Sequence, residues 1–103
     1  MLTRDTVRQE WEEGNRQFDE LARDPALRSR LLEQLEVVTD ELRKRVGQTF
    51  TLDELTAAYA DADRWVREAV EDHAPLPGWP RTLSVVQAAA FHMYQRGATD
   101  YGP

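Results

Sequence analysis

The sequence contains no cysteine in its 103 residues and a single lysine, Lys44. Without cysteine the chain forms no disulfide and has no thiol nucleophile or cysteine-ligated zinc or iron–sulfur site. Its five glycines are isolated from one another, which excludes a glycine-rich phosphate-binding loop. No stretch approaches the roughly 20 consecutive apolar residues that a membrane-spanning helix needs.

Acidic side chains outnumber basic ones, with 19 Asp and Glu against 13 Lys and Arg and a net charge of −6. Such a chain repels nucleic-acid backbones and anionic lipid unless its basic residues cluster, and they cluster only weakly, at Arg43–Arg45 and at Arg28 and Arg30. The charged N-terminus has no apolar run and is unlike a signal peptide. We therefore expect a cytoplasmic protein that binds neither membrane nor nucleic acid. The excess of arginine over lysine, with abundant Ala, Asp and Glu, is typical of bacterial proteins from GC-rich genomes.

The length suits one domain over residues 1–103, with a modest core. Apolar residues recur at steps of three and four, which predicts an all-α fold. The sequence predicts four helices, over residues 3–23, 25–46, 52–74 and 83–96.

The expected arrangement is bundle-like, with a long N-terminal antiparallel hairpin followed by a C-terminal helix pair. Asp24 is a good N-cap and Pro25 fits the first helical position, so the join between the first two helices is short. Two arrangements stay open: the hairpin packs on the C-terminal helices, or it stands partly free as a coiled coil.

An apolar stripe runs along the first helix, formed by Val7, Trp11, Gly14, Phe18 and Leu21. Glycine costs about 1 kcal/mol against alanine inside a helix. On the stripe, Gly14 is expected to let another backbone come close.

The stripe of the second helix comprises Leu27, Leu31, Leu35, Val38, Leu42 and Val46, widened by Leu32. Gly47 is expected to end this helix. Thr51 and Glu54 form a capping box that begins the third helix, which Pro75 ends.

Residues 75–81 contain three prolines and are expected to form a stiff, extended loop. The fourth helix is capped by Thr82 or by Ser84, which with Gln87 matches a second capping box. This helix is apolar nearly all round, which indicates a position at the centre of its own fold or burial against a partner.

No constellation of side chains suits catalysis. The two histidines, His73 and His92, have no carboxylate three or four residues away, the spacing at which a helix would bring both to one metal. The carboxylates of the third helix are interspersed with Arg64 and Arg67, which is typical of a solvated face. We expect no enzyme activity, no metal and no cofactor.

The aromatic residues favour protein binding, because Trp and Tyr are enriched at interface hot spots. Trp79 lies in the proline-framed loop, where a rigid presentation would limit the entropy lost on binding. The alternative is that Trp79 folds back over the end of the bundle. The candidate interaction residues are Leu76, Trp79, Arg81, Phe91, Tyr94 and Tyr101.

The leading hypothesis is a small helical module that binds another protein or itself, as an accessory subunit, adaptor or regulator. One alternative is a transcription-linked factor that binds nucleic acid or polymerase through Arg43–Arg45 or through an acidic hairpin tip formed by Asp19, Glu20 and Asp24. Another is a helical domain that binds a small ligand.

Overall fold

A computed structural model describes residues 4–71 and 81–99, and every regular element in those ranges is helical. The all-α prediction is therefore confirmed. Five α-helices are followed by a short 3-10 turn: α1 (Arg4–Leu21), α2 (Pro25–Val46), α3 (Leu52–Ala60), α4 (Ala62–Glu71), α5 (Arg81–Tyr94) and the turn Gln95–Gly97.

The predicted third helix is two helices, because the chain leaves helical geometry at Asp61. This residue has φ −105° and ψ 0°, and its N–H bonds to the carbonyl oxygens of Ala58 and Tyr59. Apolar side chains nevertheless continue inward on both sides of the break, with Leu55 and Val66 fully buried. The break keeps the helical spacing of apolar residues, so periodicity alone does not reveal it.

The predicted caps at both ends of α2 and at the start of α3 are present. The side chain of Asp24 accepts a hydrogen bond of 3.0 Å from the N–H of Ala26 at the start of α2. At the start of α3, Thr51 and Glu54 form both reciprocal bonds of a capping box. Gly47 ends α2 with a φ of 87°, a conformation that strongly favours glycine. These caps satisfy backbone groups that the helices leave free.

The second capping box predicted from the sequence does not form. Because α5 begins at Arg81, Ser84 lies inside the helix rather than at its N-cap. The buried side chain of Gln87 instead donates a hydrogen bond of 3.0 Å to Asp63, at the start of α4. This bond ties α5 to α4.

Helix α5 lies at the centre of the fold, one of the two positions that its apolar composition indicated. It packs most extensively against α1, and also against α2 and α4. Helices α1 and α2 each pack on α5 more than on each other, so of the two arrangements left open the structure has the one in which they pack on the C-terminal helices, not the free coiled coil. The reason is that α5 carries apolar side chains on several faces, all of which need cover. Its fully buried residues are Val86, Ala89, Ala90 and Phe91.

Helices α1 and α5 approach each other closely at Gly14. A Cβ atom placed on this glycine would lie less than 3.0 Å from the Cβ of Ala88, a distance that real Cβ atoms essentially never show. The expectation that Gly14 admits a neighbouring backbone is thus confirmed. The weak helix propensity of glycine is offset by the packing that it allows.

An aromatic cluster fills the core beside this contact. The ring of Trp11 stacks on Phe91 with centroids 5.5 Å apart, and Tyr59 meets both rings edge-on at 5.5 and 4.9 Å. Trp65 lies 6.0 Å from Phe91. Since these rings come from α1, α3, α4 and α5, one cluster joins four helices.

We predict that Gly14→Ala destabilises the protein by about 1–3 kcal/mol, since the added methyl group overpacks the contact with Ala88. An ordinary Gly→Ala change within a helix would stabilise it by about 1 kcal/mol. Urea unfolding measures the difference. As a control, Gln9→Ala on the exposed face of α1 should leave the free energy of unfolding nearly unchanged.

A double variant, Gly14→Ala with Ala88→Gly, should show a coupling free energy that partly offsets the loss, because space returns at the same contact. Stabilisation by Gly14→Ala alone would contradict the close approach.

His92, on α5, is half-buried and its pKa lies below the ordinary value of 6.5. Burial is the main cause, and Arg96 lowers the pKa further, while Glu12 and Asp19 on α1 oppose the shift. The folded protein therefore favours the neutral imidazole. As the pH falls below about 6.5, His92 becomes protonated in the unfolded chain before it does so in the folded protein. The contribution of His92 to the free energy of unfolding is therefore largest above about pH 6.5 and is lost as the pH falls.

We predict that His92→Gln reduces the loss of stability between pH 7.5 and pH 5.5. The measurement is the free energy of unfolding of both proteins at both pH values. Both retain His73, so the difference between them reports on His92. Equal losses in the two proteins would show that His92 does not titrate differently on folding.

Candidate functional site

A concave site lies along α2, where α4 approaches it. It encloses a cavity of about 390 Å³. Here it is called the α2 groove, and its lining residues are Arg30, Glu33, Gln34, Glu36, Val37, Asp40 and Val70. All but Val70 belong to α2, where residues three and four apart fall on one face of the helix.

The most unusual residue of the groove is Gln34. Its side chain is only 4% exposed, and neither Oε1 nor Nε2 has a hydrogen-bond partner among the residues that the structure describes. Burial of an amide costs free energy when hydrogen bonds to water are lost, and the described residues supply none in return. By contrast, the buried Gln87 has a partner for its amide nitrogen. The amide of Gln34 therefore has hydrogen-bonding capacity that the described residues leave unused.

The rim of the groove is acidic. Three carboxylates, those of Glu33, Glu36 and Asp40, accompany one cation, Arg30. Asp40 also pairs with Arg43, farther along α2. Val37 adds apolar surface to the lining, and the fully buried Val70 borders the cavity from α4. This combination of an apolar lining, one buried amide and excess negative charge suits a ligand that carries a positive charge, a hydrogen-bond donor and a hydrogen-bond acceptor.

Gln34 does not belong to the apolar stripe predicted from the sequence, although it lies three residues after Leu31 and four before Val38. The predicted stripe was widened by Leu32, but that side chain is 46% exposed. Gln34 takes the inward position instead. The signal that could have identified it is a polar residue at the three-and-four spacing of a buried stripe.

Four of the predicted interaction residues have little or no description in the structure. Leu76, Trp79 and Tyr101 lie outside the described residues, and Arg81 is known only as the first residue of α5. The proposal that they bind a partner stays a prediction.

The other two predicted interaction residues lie apart from the α2 groove. Phe91 is fully buried and stacks on Trp11, so it contributes to the core and supplies no exposed area. Tyr94 is half-buried, with its ring stacked on Phe50 at 4.8 Å and its hydroxyl donating to the carbonyl oxygen of Gly47. Burial raises the pKa of the Tyr94 hydroxyl, which keeps it protonated as a donor. Tyr94 thus fastens α5 to the end of α2.

The basic run Arg43–Arg45 is paired within its own helix. Arg43 bonds to Asp40, and Glu41 lies 3.9 Å from the Lys44 ammonium and 3.1 Å from Arg45. Each cation therefore has a carboxylate one turn earlier. This pairing reduces the positive field that a nucleic-acid contact would use.

One of the acidic residues at the turn between α1 and α2 has a structural role. Asp24 caps α2, while Asp19 and Glu20 are exposed at the end of α1. Within residues 4–71 and 81–99, no group of three or more His, Asp or Glu side chains is placed to hold a metal ion. In the same part of the chain, no helix combines the length and the apolar character needed to cross a membrane.

No protein-family model, curated protein or solved structure matches this chain.

We predict that Gln34→Met stabilises the isolated protein by about 1 kcal/mol or more. Methionine has a similar length and helix propensity, and the substitution removes an unpartnered buried amide. Thermal and urea unfolding of the ligand-free protein measure the change. The matched control is Gln9→Met on the exposed face of α1, which should have little effect on stability. A clear loss of stability in Gln34→Met alone would mean that the amide is satisfied in the folded chain.

Proposed function

We propose that the protein is a small helical interaction module, acting as an accessory subunit, adaptor or regulator and catalysing no reaction. The observation that carries this proposal is the buried amide of Gln34 in the α2 groove, both of whose polar atoms lack a hydrogen-bond partner among the described residues. Buried polar groups in native proteins almost always have partners, so an exception calls for an explanation. A partner molecule that supplies the missing hydrogen bonds is such an explanation.

Charge supports a protein partner with a basic surface. The chain has a net charge of −6, and the rim of the α2 groove carries three carboxylates and one arginine. Charge complementarity of this kind accelerates encounter and selects among partners. The excess of arginine over lysine is the basis for proposing a bacterial protein, and the lack of a long apolar run is the basis for proposing a cytoplasmic one.

A second surface of the module is proposed around Leu76, Trp79, Arg81 and Tyr101, on the strength of the aromatic, proline-framed sequence. Alternatively, the protein binds a second copy of itself through this surface. Met93, near the end of α5, is 49% exposed and adds one apolar side chain on that helix.

The α2 groove also favours a second candidate function, the binding of a small ligand. Its volume of about 390 Å³ lies within the range of about 300–1,000 Å³ common for small-molecule sites. The transcription-linked alternative has weaker support, because the cations of Arg43–Arg45 are paired with Asp40 and Glu41.

The test is an affinity capture from an extract of the native host, followed by reconstitution with the purified partner. Wild type, Trp79→Ala, Gln34→Met and the control Gln9→Met are compared. The proposal predicts one stoichiometric partner that binds wild type and the control but is lost from Gln34→Met. Loss from Trp79→Ala as well would support the second surface.

Sedimentation of the purified protein tests whether it self-associates. Recovery of the bait alone, from a protein that sediments as a monomer, would contradict the interaction module. A metabolite that raises the thermal midpoint would then favour the ligand-binding alternative.

A further inference from the structure

We propose that the α2 groove binds an extended, basic peptide segment of a partner protein, with one residue of that segment paired through its backbone to the Gln34 side chain. This inference rests on the proposed function and specifies the chemistry of the partner.

The two polar groups of the Gln34 amide determine which hydrogen-bonding groups of a ligand it can bind. It offers one carbonyl acceptor and an NH₂ donor, both unused and buried among the described residues. In an extended strand, the N–H and C=O of one residue point to the same side, as in the hydrogen-bonded pairs of an antiparallel sheet. One residue of an extended peptide can therefore accept from Nε2 and donate to Oε1.

The apolar part of the groove suits the side chain of such a residue. Val37 lies one turn after Gln34 on α2, and Val70 approaches from α4. Successive side chains of a strand point to opposite faces. A small apolar side chain facing the two valines would therefore leave its neighbours directed to the rim.

The rim selects basic neighbours. Glu33 and Glu36 have no ion pair with any residue that the structure describes, whereas Asp40 is shared with Arg43. Two unpaired carboxylates against Arg30 give the groove a negative field that favours Lys or Arg. The segment expected is thus an apolar residue flanked by basic ones.

The probe is an acetylated, amidated pentapeptide of sequence Ala-Lys-Val-Lys-Ala, titrated calorimetrically into the full chain. Three further probes isolate the parts of the proposal: a peptide with glutamate in place of both lysines, a peptide N-methylated at the valine, and N-acetyl-lysine N-methylamide as a single-residue ligand. The lysine peptide should bind, and the glutamate and N-methylated peptides should bind at least tenfold more weakly.

Variants of the protein complete the test. Gln34→Met should weaken binding of the lysine peptide about tenfold or more while the protein alone becomes no less stable, which separates lost recognition from misfolding. Gln9→Met should bind as wild type does. The double variant Glu33→Gln with Glu36→Gln should bind the lysine peptide severalfold more weakly, and its binding should depend less on salt. The control Glu20→Gln, whose side chain lies outside the groove, should bind as wild type does.

Any one of the following results would overturn the inference: no binding of the lysine peptide, equal binding by Gln34→Met, or equal binding of the glutamate peptide. Binding of the single-residue ligand as tightly as the peptide would also overturn it, in favour of a small-ligand site. If the peptide fails while a captured partner still depends on Gln34, the interaction module stands and only the peptide chemistry is wrong. If the peptide binds but no partner is captured, the groove chemistry stands and the adaptor role fails.

Discussion

The close approach of α1 to α5 at Gly14 is the constraint on which the rest of the fold depends. No side chain larger than hydrogen fits between the helices at that point, because a Cβ would clash with Ala88. Their proximity lets Trp11 of α1 stack on Phe91 of α5, and Tyr59 and Trp65 close the cluster from α3 and α4. Since α5 is thereby central, α2 packs on it from another side rather than on α1.

Placed in this way, α2 presents three kinds of residue in one small region. Its buried stripe contains Leu31 and Val38, its rim carries carboxylates, and between them lies the amide of Gln34. An apolar residue at position 34 would make the isolated chain more stable by the ordinary rules of burial. Glutamine at this position lowers stability and leaves two polar atoms unpaired among the described residues, a cost that the proposed binding function would explain.

Local features of the fold could be predicted from the sequence, because each depends on residues close together in the chain. The cap at Asp24, the capping box at Thr51 and the helix end at Gly47 are of this kind. The role of Gly14 and the central position of α5 were also indicated. The break at Asp61 was not, since apolar spacing continues across it. The pairing of α1 with α5 instead of α2 depends on contacts between distant residues, which periodicity does not report.

The site was harder to predict for the same reason, because whether a polar side chain on α2 has a partner depends on its neighbours in space. In the proposed complex, the Gln34 amide gains hydrogen bonds when the groove is filled. The most direct measurement is the NMR signal of its side-chain NH₂ protons, assigned by comparison with Gln34→Met, in the free and the peptide-bound protein. We expect these signals to shift downfield and to exchange more slowly with solvent on binding. Unchanged signals at saturating peptide would contradict it.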